Sequence, residues 1–437
     1  MTVRKVYNTD PSCRKQEWQR SLVAAFSSIA GATVVGLAGC TVKYNGGGGL
    51  GGGIATGTTG SGFAYDKPAV TEDDATHTAR SADELLAALD EASEQSPVVI
   101  WLPGDAAIDM TGRDAVVENA VIASNRSKDD LGAIVYSDTQ GKNSTAYLGG
   151  SEADGVFDCR AKSRLTGFRH RGPTSNVYEN EWYSGYIPMP SGDSSARDSF
   201  YASQHARGIS CTGDPVQIDN MDIFGWPTQG VTVGLREEEA NPQINNCSIT
   251  QCGLTSAGYG VEVFRGHPTV YQVYFNGTRH AVAGFGYGNC SYSLVECEFG
   301  PANSLFQVDQ HGLYENRSGS SSKDDLNYRY RAGGTMEILR CTFTSTHVVE
   351  FANFQGGEQT PAIVIGGVPM DRVVVRGNQF SHPPVTGNPK TQGGGSNPPI
   401  AQGPIPPGHE QDDQGFCRVE IADNQYGVSF DFPVGDG

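Results

Sequence analysis

Ile218-Asp-Asn-Met-Asp-Ile223 recurs in kind six more times along the chain. The other copies are Ile244-Asn-Asn-Cys-Ser-Ile249, Val270-Tyr-Gln-Val-Tyr-Phe275, Leu294-Val-Glu-Cys-Glu-Phe299, Ile338-Leu-Arg-Cys-Thr-Phe343, Val375-Arg-Gly-Asn-Gln-Phe380 and Ile421-Ala-Asp-Asn-Gln-Tyr426. Each opens on an apolar residue and carries another five positions on; the fourth place holds Met, Cys, Val, Cys, Cys, Asn and Asn. The closing residues are 26, 26, 24, 44, 37 and 46 apart, so a coil of about 25 residues recurs and the long intervals carry inserted loops. A fixed period with one strand pattern per copy is the mark of a solenoid, in which each coil buries its apolar side on its neighbours. Residues two apart share a strand face. Positions four and six are therefore predicted to point inward, with Cys247, Cys297 and Cys341 as stacked thiols and Asn378 and Asn424 as an amide ladder.

A second strand pattern follows in most coils, at Val231-Thr-Val233, Val261-Glu-Val263, Ala281-Val-Ala283, Phe306-Gln-Val308 and Val349-Glu-Phe351. Two or three short strands per coil predict an all-β fold, a right-handed parallel β-helix, over residues 97–430. Upstream, Ser81-Ala-Asp-Glu-Leu-Leu-Ala-Ala-Leu-Asp-Glu-Ala92 predicts a short amphipathic helix, with Ser81 as N-cap and Glu84 completing a capping box. Val98-Val-Ile-Trp-Leu102 is predicted as the first strand, and the helix as the cap over the open end of the solenoid.

These features resemble the pectin-lyase-like β-helix group, in the cap helix followed by Val99-Ile-Trp-Leu-Pro-Gly104. Ser163-Arg-Leu-Thr-Gly-Phe-Arg-His-Arg-Gly172, Arg279-His-Ala-Val-Ala-Gly284 and Asp309-Gln-His-Gly312 are similar to exported β-helix proteins of halophilic archaea. The resemblance covers residues 80–430. It implies fold, since one fold hosts many functions.

The charge balance is 31 basic against 49 acidic residues, a net of −18, which argues against a nucleic-acid partner because phosphate binding needs a basic face. Only 9 of the basic residues are lysine. An acidic, lysine-poor chain stays soluble where salt screens charge repulsion, which points to a halophilic source. With 57 Gly and 23 Pro, the composition suits strands and turns rather than helices.

Residues 1–39 are laid out as an export signal. Arg4, Lys5, Arg14, Lys15 and Arg20 precede an apolar run over 21–37. Leu37-Ala38-Gly39-Cys40 looks like a lipobox, with Cys40 the lipid-modified residue; an uncleaved anchor is the alternative, since about 18 apolar residues just span a membrane. Residues 40–75, rich in Gly, form a flexible tether. The folded body is then 76–437, with insertions near 173–207, 311–335 and 381–415. The expected location is extracellular, anchored at the cell surface, with membrane contact only through the lipid.

The ten cysteines include no Cys-x-x-Cys pair and no zinc spacing, so no metal site is predicted. No cofactor is called for, with calcium alone left open. An exported chain can form disulfides, and Cys252 with Cys290 or Cys211 is a candidate pair. Of the Asn-x-Ser/Thr sites, Asn143 and Asn316 lie in polar loops and are the preferred glycan acceptors.

The first insertion holds Tyr178-Glu-Asn-Glu-Trp-Tyr-Ser-Gly-Tyr186, and Trp182, Tyr183 and Tyr186 offer faces on which sugar rings stack. In the second-strand set, Glu262, Gln307, Asp309 and His311 are predicted to face outward. Arg265 falls two coils from Asp309, roughly 10 Å at strand spacing. Arg279 and His280 open their strand and are expected to lie apart from His311. His311, Asp309, Arg265, Arg279 and His280 are the candidate catalytic set for an acidic sugar, with His311 as base and Arg265 or Arg279 neutralising its carboxylate. The Arg-x-Pro-x-x-Arg of pectate lyases and the Asn-Thr-Asp and Gly-His-Gly runs of polygalacturonases are absent. Two functions follow: a surface protein that binds carbohydrate as an adhesive or envelope component, or a polysaccharide lyase or glycoside hydrolase on an anionic glycan. Convergence of Asp309, His311 and an arginine in one place separates the second from the first.

Overall fold

The repeated six residues span a corner rather than a single strand. In the computed structural model, which describes residues 70–127, 130–138, 155–173, 206–234, 238–253, 258–300, 306–312, 330–344, 361–382, 399–403, 405, 408–413 and 415–430, the first position of each copy lies in one sheet and the sixth in the next. Ile218, Ile244, Val270, Leu294, Ile338, Val375 and Ile421 pair in parallel register in sheet A. Ile223, Ile249, Phe275, Phe299, Phe343, Phe380 and Tyr426 pair likewise in sheet B. At the third position the backbone turns through positive φ: 53° at Asn220, 51° at Asn246 and Gln272, 54° at Glu296 and Arg340, 69° at Gly377 and 57° at Asp423. Left-handed backbone favours Gly, Asn and Asp, which explains the polar third place that a single-strand reading leaves unaccounted for.

A third sheet, C, completes each coil, and every neighbour within a sheet comes from the next coil. Among the described residues sheets A, B and C hold 11, 10 and 9 strands, all parallel. The chain is a right-handed parallel β-helix, the hand that parallel crossovers take. The cap helix, α1 (Ala82–Asp90), buries Ala82, Leu85, Ala88 and Leu89, and Ser81 accepts the Glu84 amide. The Glu84 carboxylate bonds the Arg80 amide at 2.7 Å, one residue earlier than a capping box requires. Sheet A also starts earlier than expected: His77–Thr78, before the helix, pairs with Ile100 and Trp101.

The interior is a set of vertical columns. Ring centroids of Phe275, Phe299, Phe343, Phe380 and Tyr426 follow one another at 5.3, 4.4, 4.9 and 5.5 Å, nearly parallel. Cys247, Cys297 and Cys341 are buried beside them. Below these thiols Asn378 Nδ2 donates to Asn424 Oδ1, and Asn424 Nδ2 to the Val375 carbonyl, both at 2.9 Å. The eight described cysteines are free thiols, Cys211, Cys252 and Cys290 included, so the candidate disulfide is not formed. Burial pushes Cys247, Cys252 and Cys290 up to about 12. His170, which a turn between two arginines would expose, is instead fully buried in the sheet B column, between Phe157 and Trp226 at 5.0 and 4.6 Å. The signal and Cys40, the tether up to residue 69, Asn143, Asn316, Trp182, Tyr183 and Tyr186 lie outside the described residues, as do most of the three insertions.

Candidate functional site

Three neighbouring strands of sheet C build the site: Tyr259–Val263, His280–Gly284 and Val308–Gln310. Val261, Val282 and Val308 pair in register and belong to the core. Side chains alternate along a strand, so Glu262, Ala283 and Asp309, which form the next register column, face outward. The inward residue of the middle strand is therefore Val282, although aligning Ala281-Val-Ala283 with Val261-Glu-Val263 would send Ala283 inward. The sequence pattern misleads here because Ala281 and Val282 are both in the core, and the alternation slips by one residue.

The amides of Arg279 and His280 both donate to the Gly258 carbonyl, at 2.9 and 3.0 Å, and those of Gln307 and Val308 both to Ala362, at 2.9 Å. The strands still pair residue for residue, Tyr259 with His280 and Val261 with Val282. With Ala281 and Val282 both in the core, His280 lies on the same side as Asp309. His280 Nε2 lies 3.2 Å from Asp309 Oδ2, and His311 Nε2 lies 3.5 Å from the same oxygen. The two imidazole centroids are 6.2 Å apart, so His280 and His311 meet rather than stand apart as expected.

The His280 ring is oriented by its other nitrogen. His280 Nδ1 is 2.7 Å from the Phe306 carbonyl. A carbonyl only accepts, so Nδ1 carries hydrogen and Nε2 is turned toward Asp309. Tyr259 packs beside both rings, parallel to His280 at 5.7 Å and edge-on to His311 at 6.4 Å. The Arg279 guanidinium lies over Tyr259 at 5.9 Å, within cation–π range. Glu262 accepts from Gln229 Nε2 at 2.5 Å, and Gln229 accepts from Arg207 Nε at 2.8 Å.

Arg265 is placed elsewhere. Its guanidinium covers Tyr287 at 5.1 Å, and Phe285 stands between that ring and His311, at 6.3 and 5.9 Å. His311, expected to be exposed at a strand end, is 2 % exposed, and Arg279, His280 and Asp309 are equally enclosed. Tyr259 and the Arg207–Gln229 pair carried no sequence signal. Among the described residues no three His, Cys, Asp or Glu side chains are grouped to hold a metal ion.

No protein-family model matches this chain, and no curated protein matches it. Among solved structures it is similar to a pectin methylesterase in complex with a hexasaccharide, at 10 % identity and a TM-score of 0.35 over 83 % of this chain and 92 % of that one. It is similar to the A-module of the Azotobacter vinelandii mannuronan C-5 epimerase AlgE4, at 10 % identity and 0.33 over 80 % and 94 %. It is also similar to the ORF18 protein of Geobacillus virus E2, at 10 % identity and 0.31 over 78 % of this chain, and spans 54 % of that protein's length. Likeness of this degree carries no chemistry. The β-helix assignment rests on the strand order itself.

Proposed function

We propose that the chain acts on an anionic glycan at the outer face of sheet C, as a polysaccharide lyase or glycoside hydrolase. The supporting observation is that His280 and His311 approach one oxygen of Asp309, with Arg279 fixed over Tyr259 alongside. In an elimination, an imidazole takes the proton next to the sugar carboxylate while Arg279 offsets the charge that develops. The C–O bond to the leaving sugar then breaks, a C=C bond forms, and the other imidazole, in its protonated form, gives its proton to the leaving oxygen. Arg265, at Tyr287, is left out of this scheme.

The test is turnover of uronate polysaccharides, followed by ultraviolet absorbance for unsaturated ends and by reducing-end release for hydrolysis. Wild type should yield one product, and His280→Ala or Asp309→Asn should lower the rate by roughly 10²–10⁴-fold, the worth of a positioned acid or base. The enclosure of the same side chains favours a second reading, a non-catalytic carbohydrate-binding, adhesive or envelope protein. Glycan binding without either product decides for it, with Trp182, Tyr183 and Tyr186 as the stacking platform.

The chain is further inferred to be exported, from a halophilic source, and held at the cell surface by a lipid on Cys40, with glycans on Asn143 and Asn316. The support is the basic region, apolar run and lipobox at 1–40, the acidic, lysine-poor composition and the two sequons. Cys40→Ser should release the protein to the medium or leave it unprocessed; unchanged attachment and processing exclude the lipid.

A further inference from the structure

Arg169-His-Arg171 takes no part in the sheet C cluster. His170 faces the core from the middle of its strand, so Arg169 and Arg171 both face outward on sheet B, about 7 Å apart along the chain. Arg126 reaches the same corner from the segment after the strand Ala120–Ala123. Its amide donates to the Gly167 carbonyl at 2.9 Å, and its own carbonyl accepts from Asn220 Nδ2 at 2.8 Å. The Arg126 side chain is almost wholly buried, and its Nε and Nη1 have no hydrogen-bond partner. Nε of Arg169 and of Arg171 also lack partners. Of their remaining nitrogens, Arg169 Nη2 donates to the Gly132 carbonyl at 3.2 Å, and Arg171 Nη2 to Asp138 Oδ1 at 2.8 Å above the Tyr136 ring.

Three carboxylates lie around these arginines. Asp222 faces both Arg126 and Arg169; burial raises its pKa and the two arginines lower it. Desolvation lowers Arg169, Asp222 counters this, and the like charge of Arg126 adds to the lowering. Asp130 also acts on Arg169, but its carboxylate is bonded to Asn125 Nδ2 and the Gly132 amide. Asp222, Asp130 and Asp138 offset charge here, yet they leave Nε of all three arginines and Nη1 of Arg126 without a hydrogen bond, in a chain whose net charge is −18. A buried charged donor left unmade is destabilising, and planar guanidiniums bind oxyanions through paired donors.

We propose that Arg126 and Arg169, flanked by Arg171, form a site for an oxyanion carried on a glycan, either a carboxylate or a sulfate ester. The site is separate from the sheet C cluster and does not depend on turnover there. Calorimetric titration of the full chain at low salt, with carboxylated, sulfated and neutral oligosaccharides of equal length, tests it. One or both anionic ligands should bind and the neutral one should not, and the tighter of the two names the oxyanion. Arg169→Gln should weaken that binding at least tenfold and Arg169→Lys restore part of it, with circular dichroism showing both variants folded. Arg265→Gln, at a residue outside both sites, should bind as wild type does. Equal binding of the neutral ligand, no binding at all, or binding that survives Arg169→Gln overturns the assignment.

Discussion

The inner column of sheet B and the outer face of sheet C are built by the same stacking of coils, yet they differ in how position determines identity. Along the column, one place in each coil is filled by Ile, Ile, Phe, Phe, Phe, Phe and Tyr, because each side chain packs on its own counterpart above and below. On the outer face one register place reads Glu262, Ala283, Asp309 and Val364 in succession. Packing imposes sameness; an outward face imposes none, so chemistry concentrates in one or two coils. Stability should therefore reside in the column and activity on the face.

The largest effect should come from cutting the column at its middle. Phe299 lies between Phe275 and Phe343, with no exposed surface. Phe299→Ala should cost about 3–5 kcal/mol, the transfer term plus the cavity that stacked rings cannot close. Denaturant unfolding measures it. A loss under about 1 kcal/mol would mean that the coils above and below collapse into the gap.

His170 gives the column a pH dependence. Its Nδ1 donates to the Val135 carbonyl at 3.2 Å, and burial lowers its pKa to about 4. The folded state therefore holds it neutral, while the unfolded chain takes up a proton near the ordinary value of about 6.5. Stability from this group is complete above about pH 6.5 and falls as pH drops toward 4, by about 3 kcal/mol in all. Asp222, whose pKa burial raises, works in the opposite direction, so the informative quantity is a difference. His170→Phe keeps a ring between Phe157 and Trp226 and should flatten the unfolding free energy between pH 4 and 6.5 relative to wild type. Parallel curves would place the titration elsewhere.

The same contrast explains what was legible in the sequence. Period, inward residues, thiol stack, amide ladder and cap helix could all be read, because core packing repeats a residue type at a fixed interval. Asp309 and His311 could be named because Asp309 follows the inward Val308 and His311 lies two residues further on. His280 and Tyr259 could not be joined to them. Ala281 and Val282 both pack inward, which shifts the face by one residue, and no local letter marks that break in alternation. His170 is hidden for a related reason: two flanking arginines suggest a solvated turn, whereas strict alternation sends the residue between them inward.

A smaller effect should follow from adding volume to the column. Cys297 is buried beside Phe299, its thiol donating to the Val270 carbonyl at 3.3 Å. Cys297→Leu should cost about 1–3 kcal/mol through overpacking, less than the Phe299 cavity, and should leave turnover of uronate polysaccharides unchanged. Loss of activity at full stability would show that the column transmits to the face.

The smallest effect is expected at Arg265, and it bears on the face rather than the column. Its sequence place, two residues past Val263 and two coils from Asp309, suggests a cation for the sugar carboxylate. Its guanidinium instead lies over Tyr287, with Phe285 between that ring and His311. Arg265→Gln should therefore change stability by about 0.5–1 kcal/mol at most, the worth of an exposed cation–π contact, and leave kcat on a uronate polysaccharide unaltered. Arg279→Gln, beside Tyr259 in the cluster, should reduce kcat by at least tenfold under the same assay. If the two variants exchange these outcomes, substrate binding brings Arg265 past Phe285, and the cation of the site is the one that its place in the sequence first suggested.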